Sequence, residues 1–198
     1  MKFLFDLGGV FFDWEPKYFF NDIFSDKKDL DFFLNEVCNE SWNLRQDEGR
    51  SIKDAENQLI PKFPEYEKQI KMYYLNHRKM IRGTFSLSIE VLNNLKNLNY
   101  PCYVLSNWSS ETFIGVTENY PFLKQFDGMI ISGQEKLIKP NIAIYNLAVE
   151  RFNLNPSETV FIDDKIENII SAKKIGFNTI HLEDPSSIKK DIEKFLTH

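Results

Sequence analysis

Four short stretches of the chain carry side chains suited to reaction at an anionic ester. They are Asp6 ahead of the Gly8-Gly9 pair, Ser106-Asn107, Lys139-Pro140 and Asp163-Asp164. The carboxylates of Asp6, Asp163 and Asp164 match what Mg²⁺ takes: a few hard oxygen ligands from protein, with waters retained. Lys139 supplies a point charge, and Ser106 with nearby backbone amides supplies donors for non-bridging phosphoryl oxygens. Asp6 would then stand between metal and substrate, placed to attack as a nucleophile. Each piece is weak alone. A lone Asp or Ser at a strand end is more often a helix N-cap, and a Lys before Pro is usually a solvated side chain.

The elements around these residues bring them to one edge. Lys2 to Leu7 reads as a buried strand followed by a glycine turn. Beyond Trp14, strand signals vanish for a long stretch, and apolar residues recur at helical spacing (Leu30, Phe33, Leu34, Val37). Ser51 with Asp54 reads as a helix start, and Pro64 precedes a longer helix carrying Ile70, Tyr73 and Tyr74. From Gly83 the pattern alternates. Helices around Ile89–Leu95, Glu111–Glu118, Ile142–Phe152 and Ile166–Ile175 lead to strands at Pro101–Leu105, Met129–Ile131, Thr159–Ile162 and Asn178–Leu182. Gly176 suits the close of the last helix. Continuous apolar strands joined by helices predict an α/β fold: a doubly wound, Rossmann-like parallel sheet covered on both faces. Residues 1–13 and 83–198 would form this core, and residues 14–82 a helical cap inserted after the first strand. Ligands bind beyond the carboxyl ends of such strands, where all four stretches fall.

Read together, Asp6-Leu-Gly-Gly-Val10, Leu105-Ser106-Asn107, Lys139-Pro140 and Phe161-Ile-Asp163-Asp164 resemble, in order, the four motifs of the haloacid dehalogenase-like hydrolase superfamily. The likeness spans nearly the whole chain, and the insert resembles that family's type-one helical cap. Among subgroups the chain is most similar to bacterial sugar phosphatases acting on α-glucose 1-phosphate and related small esters. The resemblance implies an aspartyl-phosphate on Asp6, a phosphoryl group held by Ser106 with Asn107, and Lys139 tying nucleophile to phosphate. It implies Mg²⁺ on Asp6, Asp164 and the Gly8 carbonyl, with Asp163 a ligand or its neighbour. The chain departs from the family at Gly8, where many of its phosphatases carry a second aspartate that protonates the leaving group. Without it, acidic leaving groups such as an anomeric sugar hydroxyl should be favoured. Asp13 lies near in sequence but is placed at the hinge.

In the cap, Arg45-Gln46-Asp47-Glu48-Gly49 reads as a polar loop, with Arg45, Gln46 or Glu48 candidates for substrate contact. Trp108, beside Asn107, is expected in the pocket wall, and Trp42 in core or wall. The reading is a Mg²⁺-dependent phosphatase of a small phosphorylated metabolite. The alternatives are a 2-haloacid dehalogenase using Asp6, or a catalytically weak phosphometabolite-binding regulator.

Composition agrees and excludes other classes. The 198 residues carry 24 basic and 29 acidic side chains, a net charge of −5, with no basic stripe for nucleic acid. An anionic substrate therefore needs local positive charge or a metal. No apolar run reaches the roughly 20 residues of a membrane span. Asp6 interrupts the N-terminal apolar run too early for a secretory signal. The histidines (His77, His181, His198) are not paired at helical spacing, which argues against a zinc site. Cys38 and Cys102 are expected as reduced, buried thiols of a cytoplasmic monomer or homodimer.

Overall fold

The computed structural model describes residues 1–196; the last two residues of the expected core segment, among them His198, lie outside it. A five-stranded parallel sheet forms the centre. Its strands are β1 (Lys2–Phe5), β4 (Cys102–Ser106), β5 (Gly128–Ile131), β6 (Thr159–Asp163) and β7 (Asn178–His181). Two further strands, β2 (Phe12–Trp14) and β3 (Ile81–Thr84), pair antiparallel as a separate ribbon.

Side-chain alternation explains why both sheet faces are covered. Phe3 and Phe5 of β1 join Cys102, Val104, Val160 and Ile162 in the core on one side. Leu4, Leu105 and Phe161 point the other way, onto Ile144, Tyr145 and Ala148 of the helix Ile142–Arg151. With period-two side chains, each strand feeds both layers.

The strand order is β5-β4-β1-β6-β7. The chain runs outward from β1 through β4 to β5, then crosses back to add β6 and β7 on the opposite side of β1. The order reverses between β1 and β6, and such switch points open a crevice at the carboxyl ends. Asp6 follows β1 there, Ser106 ends β4, and Asp163 ends β6.

The helical stretch between β2 and β3 has an apolar centre of its own, with Phe20, Phe33, Trp42, Ile70, Tyr73 and Met80 buried together. Ser51 caps the helix Ile52–Leu59 by accepting from the Asp54 amide. Several expectations shift here. Periodicity around Phe19–Phe24 gives only the one-turn helix Lys17–Phe20, and the Phe33–Val37 turn is a π-helix. The expected loop at Arg45–Gly49 is largely the helix Glu40–Asp47, started by Asn39 accepting from the Trp42 amide. The expected helix Glu111–Glu118 breaks at Gly115, whose φ is +73°, into Ser110–Phe113 and Val116–Asn119. The β2–β3 ribbon carries no sequence signal, since strands of three and four residues are too short to show alternation.

Gly133 lets the β4 and β5 ends meet. A Cβ there would stand 2.4 Å from the Ser110 nitrogen and 2.8 Å from the Trp108 carbonyl oxygen. Gly133→Ala should therefore lower stability by about 1–3 kcal/mol through overpacking. In urea unfolding the midpoint should fall at constant slope; an unchanged midpoint would mean that the 108–110 segment yields freely.

Candidate active site

The loop after β1 is a tight turn. The amides of Phe11 and Phe12 donate to the Leu7 carbonyl, and the Gly9 amide donates to that of Phe12. Gly9 sits at φ +67°, and a Cβ there would lie 2.5 Å from the Asp164 carboxylate. Only glycine lets backbone and carboxylate approach this closely. Gly8 differs: a Cβ added there meets nothing within 4 Å.

Lys139 is the hub. Its side chain is fully buried, with Nζ 2.6 Å from Asp163 Oδ2 and 3.0 Å from Asp6 Oδ1. Burial alone would lower its ammonium, but Asp163 and Asp6 outweigh that and hold it above its ordinary value. Asp163 is engaged on both oxygens. It accepts from Asn168 Nδ2 and from the Lys165 amide as well as from Lys139. Asn168, absent from the sequence-derived candidates, thus orients the carboxylate that orients Lys139. A polar residue early in a helix looks like any solvated position until the fold buries it.

Burial pushes the Asp6 carboxyl up, with Asp163 adding to the rise and Lys139 opposing it. Asp164 is raised to about 7 by burial, then by Asp6 and Asp163, against Lys165 and Lys139. One oxygen from each of Asp6, Asp163 and Asp164 falls within 4.8 Å of the others. Ser106 Oγ, buried at the end of β4, stands beside the Asp6 carboxylate without a well-aligned hydrogen bond, an orphan hydroxyl that a ligand oxygen would satisfy. Oxygen-only donors, the Gly9 cradle and this orphan fit a hard divalent cation and an oxyanion.

Asn107 grips the backbone of Lys139. Its amide donates to the Lys139 carbonyl at 3.0 Å and accepts from the Lys139 amide at 2.9 Å. The Lys139–Pro140 peptide is cis. Asn107 therefore spends its amide on Lys139, although it also borders the cavity.

A cavity of about 530 Å³ opens above these groups, bordered by the sheet edge and by the helical stretch between β2 and β3. Seven acidic side chains and three lysines line it, so it is acidic overall. A smaller space of about 80 Å³ adjoins it over Gly8, walled by Trp108, His77, Asn43 and Asp47. Burial pushes Asp47 up to about 7, with the Ser109 amide opposing and Asp6 adding to the rise. Arg45 and Gln46, expected as substrate contacts, border neither of these two spaces. Arg45 is exposed, and Gln46 is wholly buried, donating to the Trp42 carbonyl and the Tyr74 hydroxyl and accepting from Arg50 Nε. The helix turns Asp47 and Asn43 inward instead, which a loop reading could not rank. Trp42 packs within the helical stretch. Asp13, bound by Tyr18 and Arg82, is already satisfied. Cys38 and Cys102 are free and buried, and no helix among the described residues is long and apolar enough to cross a membrane.

The haloacid dehalogenase-like hydrolase family model matches residues 4–182, and the chain belongs to that family. It is 27% identical to a sesquiterpene phosphatase of Aspergillus oryzae over 181 residues, 91% of this chain and 89% of the relative. It is also 25% identical to an (S)-2-haloacid dehalogenase of Burkholderia cepacia, over 57% of this chain and 53% of that one. A family enzyme from Bacteroides thetaiotaomicron, solved as a magnesium complex, superposes with TM-score 0.72 at 23% identity. That match covers 90% of this chain and 91% of the other.

Asn107→Ala removes two hydrogen bonds, each worth about 0.5–1.5 kcal/mol net. Calorimetric melting should show a loss of about 1–3 kcal/mol. An unaltered Tm would show that Lys139 is held without this grip.

Proposed function

We propose that this chain is a Mg²⁺-dependent phosphatase of small, sugar-type phosphomonoesters, with residues 14–82 acting as a cap over a core of residues 1–13 and 83–198. The observation that carries the reading is Lys139 buried between Asp6 and Asp163 beside Asp164, in a cavity that is acidic overall. An anionic substrate needs that excess negative charge offset. Asp6, Asp164 and the Gly8 carbonyl would hold the ion, while Asp163, its oxygens already engaged, anchors Lys139. When bound, Mg²⁺ neutralises charge on the phosphoryl oxygens and on the surrounding carboxylates. The magnesium complex of the structural relative and the phosphatase relative support this choice.

An Asp6 carboxylate oxygen attacks phosphorus, and the bond to the leaving oxygen breaks, giving an aspartyl-phosphate. Lys139 Nζ, fixed by Asp163, holds Asp6 in place and donates to a phosphoryl oxygen. Ser106 Oγ donates to another, filling its unused hydrogen-bonding capacity. Water then attacks the same phosphorus and releases phosphate from Asp6. A metal-free halide displacement would gain nothing from Asp164 crowding the nucleophile, which weighs against the dehalogenase reading despite the dehalogenase relative.

Asp6→Asn should abolish phosphate release while circular dichroism stays native, and EDTA should remove wild-type activity until Mg²⁺ is restored. Turnover by the variant, or chloride release from 2-chloropropionate undiminished by EDTA, would sink the reading.

Because Asp164 titrates at about 7, protons compete with the cation below that value. Mg²⁺ affinity by titration calorimetry should rise between pH 6 and pH 8, by up to about tenfold per unit below the pKa. A flat profile would place the ion elsewhere.

A further inference from the structure

The second carboxylate that usually follows the nucleophile by two residues is missing, since position 8 is glycine. The space such a side chain would occupy is nevertheless present. A Cβ on Gly8 meets no atom within 4 Å, and the small space above it is bordered by a different carboxylate, Asp47. Asp47 is the last residue of the helix Glu40–Asp47, and it lines the larger cavity together with Asp6 and Lys139.

Specific contacts hold it there. The Asp47 carbonyl accepts from Ser132 Oγ, and that same oxygen accepts from the Trp108 amide, so one hydroxyl ties the end of the cap helix to the β4 and β5 ends. Two residues on, Gly49 adopts φ +102°, where a Cβ would come within 3.2 Å of the Gly133 carbonyl oxygen. The cap backbone thus lies directly on the core beside Asp47. The carboxylate receives one side-chain hydrogen bond, from Asn43 at 3.3 Å.

We propose that Asp47 is the proton donor to the leaving oxygen, delivered from the cap into the space left open by Gly8. The inference rests on the phosphatase reading above. As Asp6 attacks, the bond from phosphorus to the leaving oxygen breaks and the Asp47 carboxyl proton passes to that oxygen, leaving Asp47 as carboxylate. In the second half, Asp47 takes a proton from the attacking water, and the bond between phosphorus and Asp6 breaks to release inorganic phosphate. Both residues return to their starting states. Burial keeps Asp47 titrating near 7, so the proton is available around neutrality.

Other groups near the cavity fit the role less well. Asp13 is held by Tyr18 and Arg82, and Glu40 pairs with Lys165. His77 borders the space over Gly8, but burial lowers it to about 4, so it is neutral and a poor acid.

The test compares kcat/KM for p-nitrophenyl, phenyl and n-propyl phosphate, with Mg²⁺, in the native protein and in Asp47→Asn. The series raises the leaving-group pKa without adding hydroxyls for the cap to recognise. kcat/KM reads only the steps through departure of the leaving group. Asp47→Asn should therefore lower it by about 10²–10⁴-fold for n-propyl phosphate and little for p-nitrophenyl phosphate, whose leaving group needs no proton. Phenyl phosphate should fall between them, while kcat falls for every ester through the lost base. Gly8→Asp in the Asp47→Asn background should recover part of the loss on n-propyl phosphate, because position 8 has room for the side chain. An equal loss of kcat/KM on all three esters, or none on n-propyl phosphate, overturns the assignment of Asp47 and leaves the phosphatase reading standing. A native protein that hydrolyses none of them overturns the phosphatase reading itself.

Discussion

A lysine ammonium buried between two carboxylates governs the rest of this molecule. Taking an ion out of water costs several kcal/mol, and the attraction of Asp163 and Asp6 for Lys139 offsets this only with good geometry. The fold supplies that geometry redundantly. Asn107 grips the Lys139 backbone on both its amide and its carbonyl, while Asn168 and the Lys165 amide hold Asp163 from the far side. Asp6 is set by its strand, its amide donating to the Ile162 carbonyl of β6. Adjacent strands in one sheet thus deliver the residues on either side of the ammonium.

The charge count does not close within this cluster. Three carboxylates crowd one buried ammonium, and Asp6 and Asp164 are pushed up because burial and repulsion from neighbouring carboxylates act in the same direction. A divalent cation and an incoming phosphoryl group would complete the balance together, the cation meeting the carboxylates and Lys139 with Ser106 meeting the oxyanion. Gly9 is what lets Asp164 come this close to the first loop.

The second constraint is the seating of the helical stretch on the sheet edge. Ser132 bonds to both Asp47 and Trp108, and Ile52 donates its amide to Glu111. Lys165 pairs with Glu40 at 3.2 Å, although exposed pairs of this kind contribute little, about 0–1 kcal/mol. Backbone contacts around Gly49 and Gly133 therefore matter more for where the cavity closes. Asp6, Lys139 and Asp164 reach the cavity from the sheet edge and Asn43 and Asp47 from the helical stretch, so its two walls sit on separately packed elements.

By itself the sequence determined the class of fold and which polar side chains stand at the strand ends. Buried parallel strands read as continuous apolar runs, and the side chains at their ends stand out where a polar residue interrupts the run, as at Asp6, Ser106 and Asp163-Asp164. Ser51 and Gly176 likewise announced a helix start and a helix stop through local backbone chemistry. The cap resisted that reading. Its helices are short, and the helix Glu40–Asp47 is polar on most of its surface, so nothing in Arg45-Gln46-Asp47 says which side chain turns inward. Tertiary structure alone decided that Gln46 is consumed inside the cap while Asp47 reaches the space above Gly8. It also assigned Asn107 and Asn168 to holding Lys139 and Asp163. The reason is physical: strand ends are marked by local contrast in polarity, whereas a helix orientation and a hydrogen bond across 32 residues exist only once distant segments have packed.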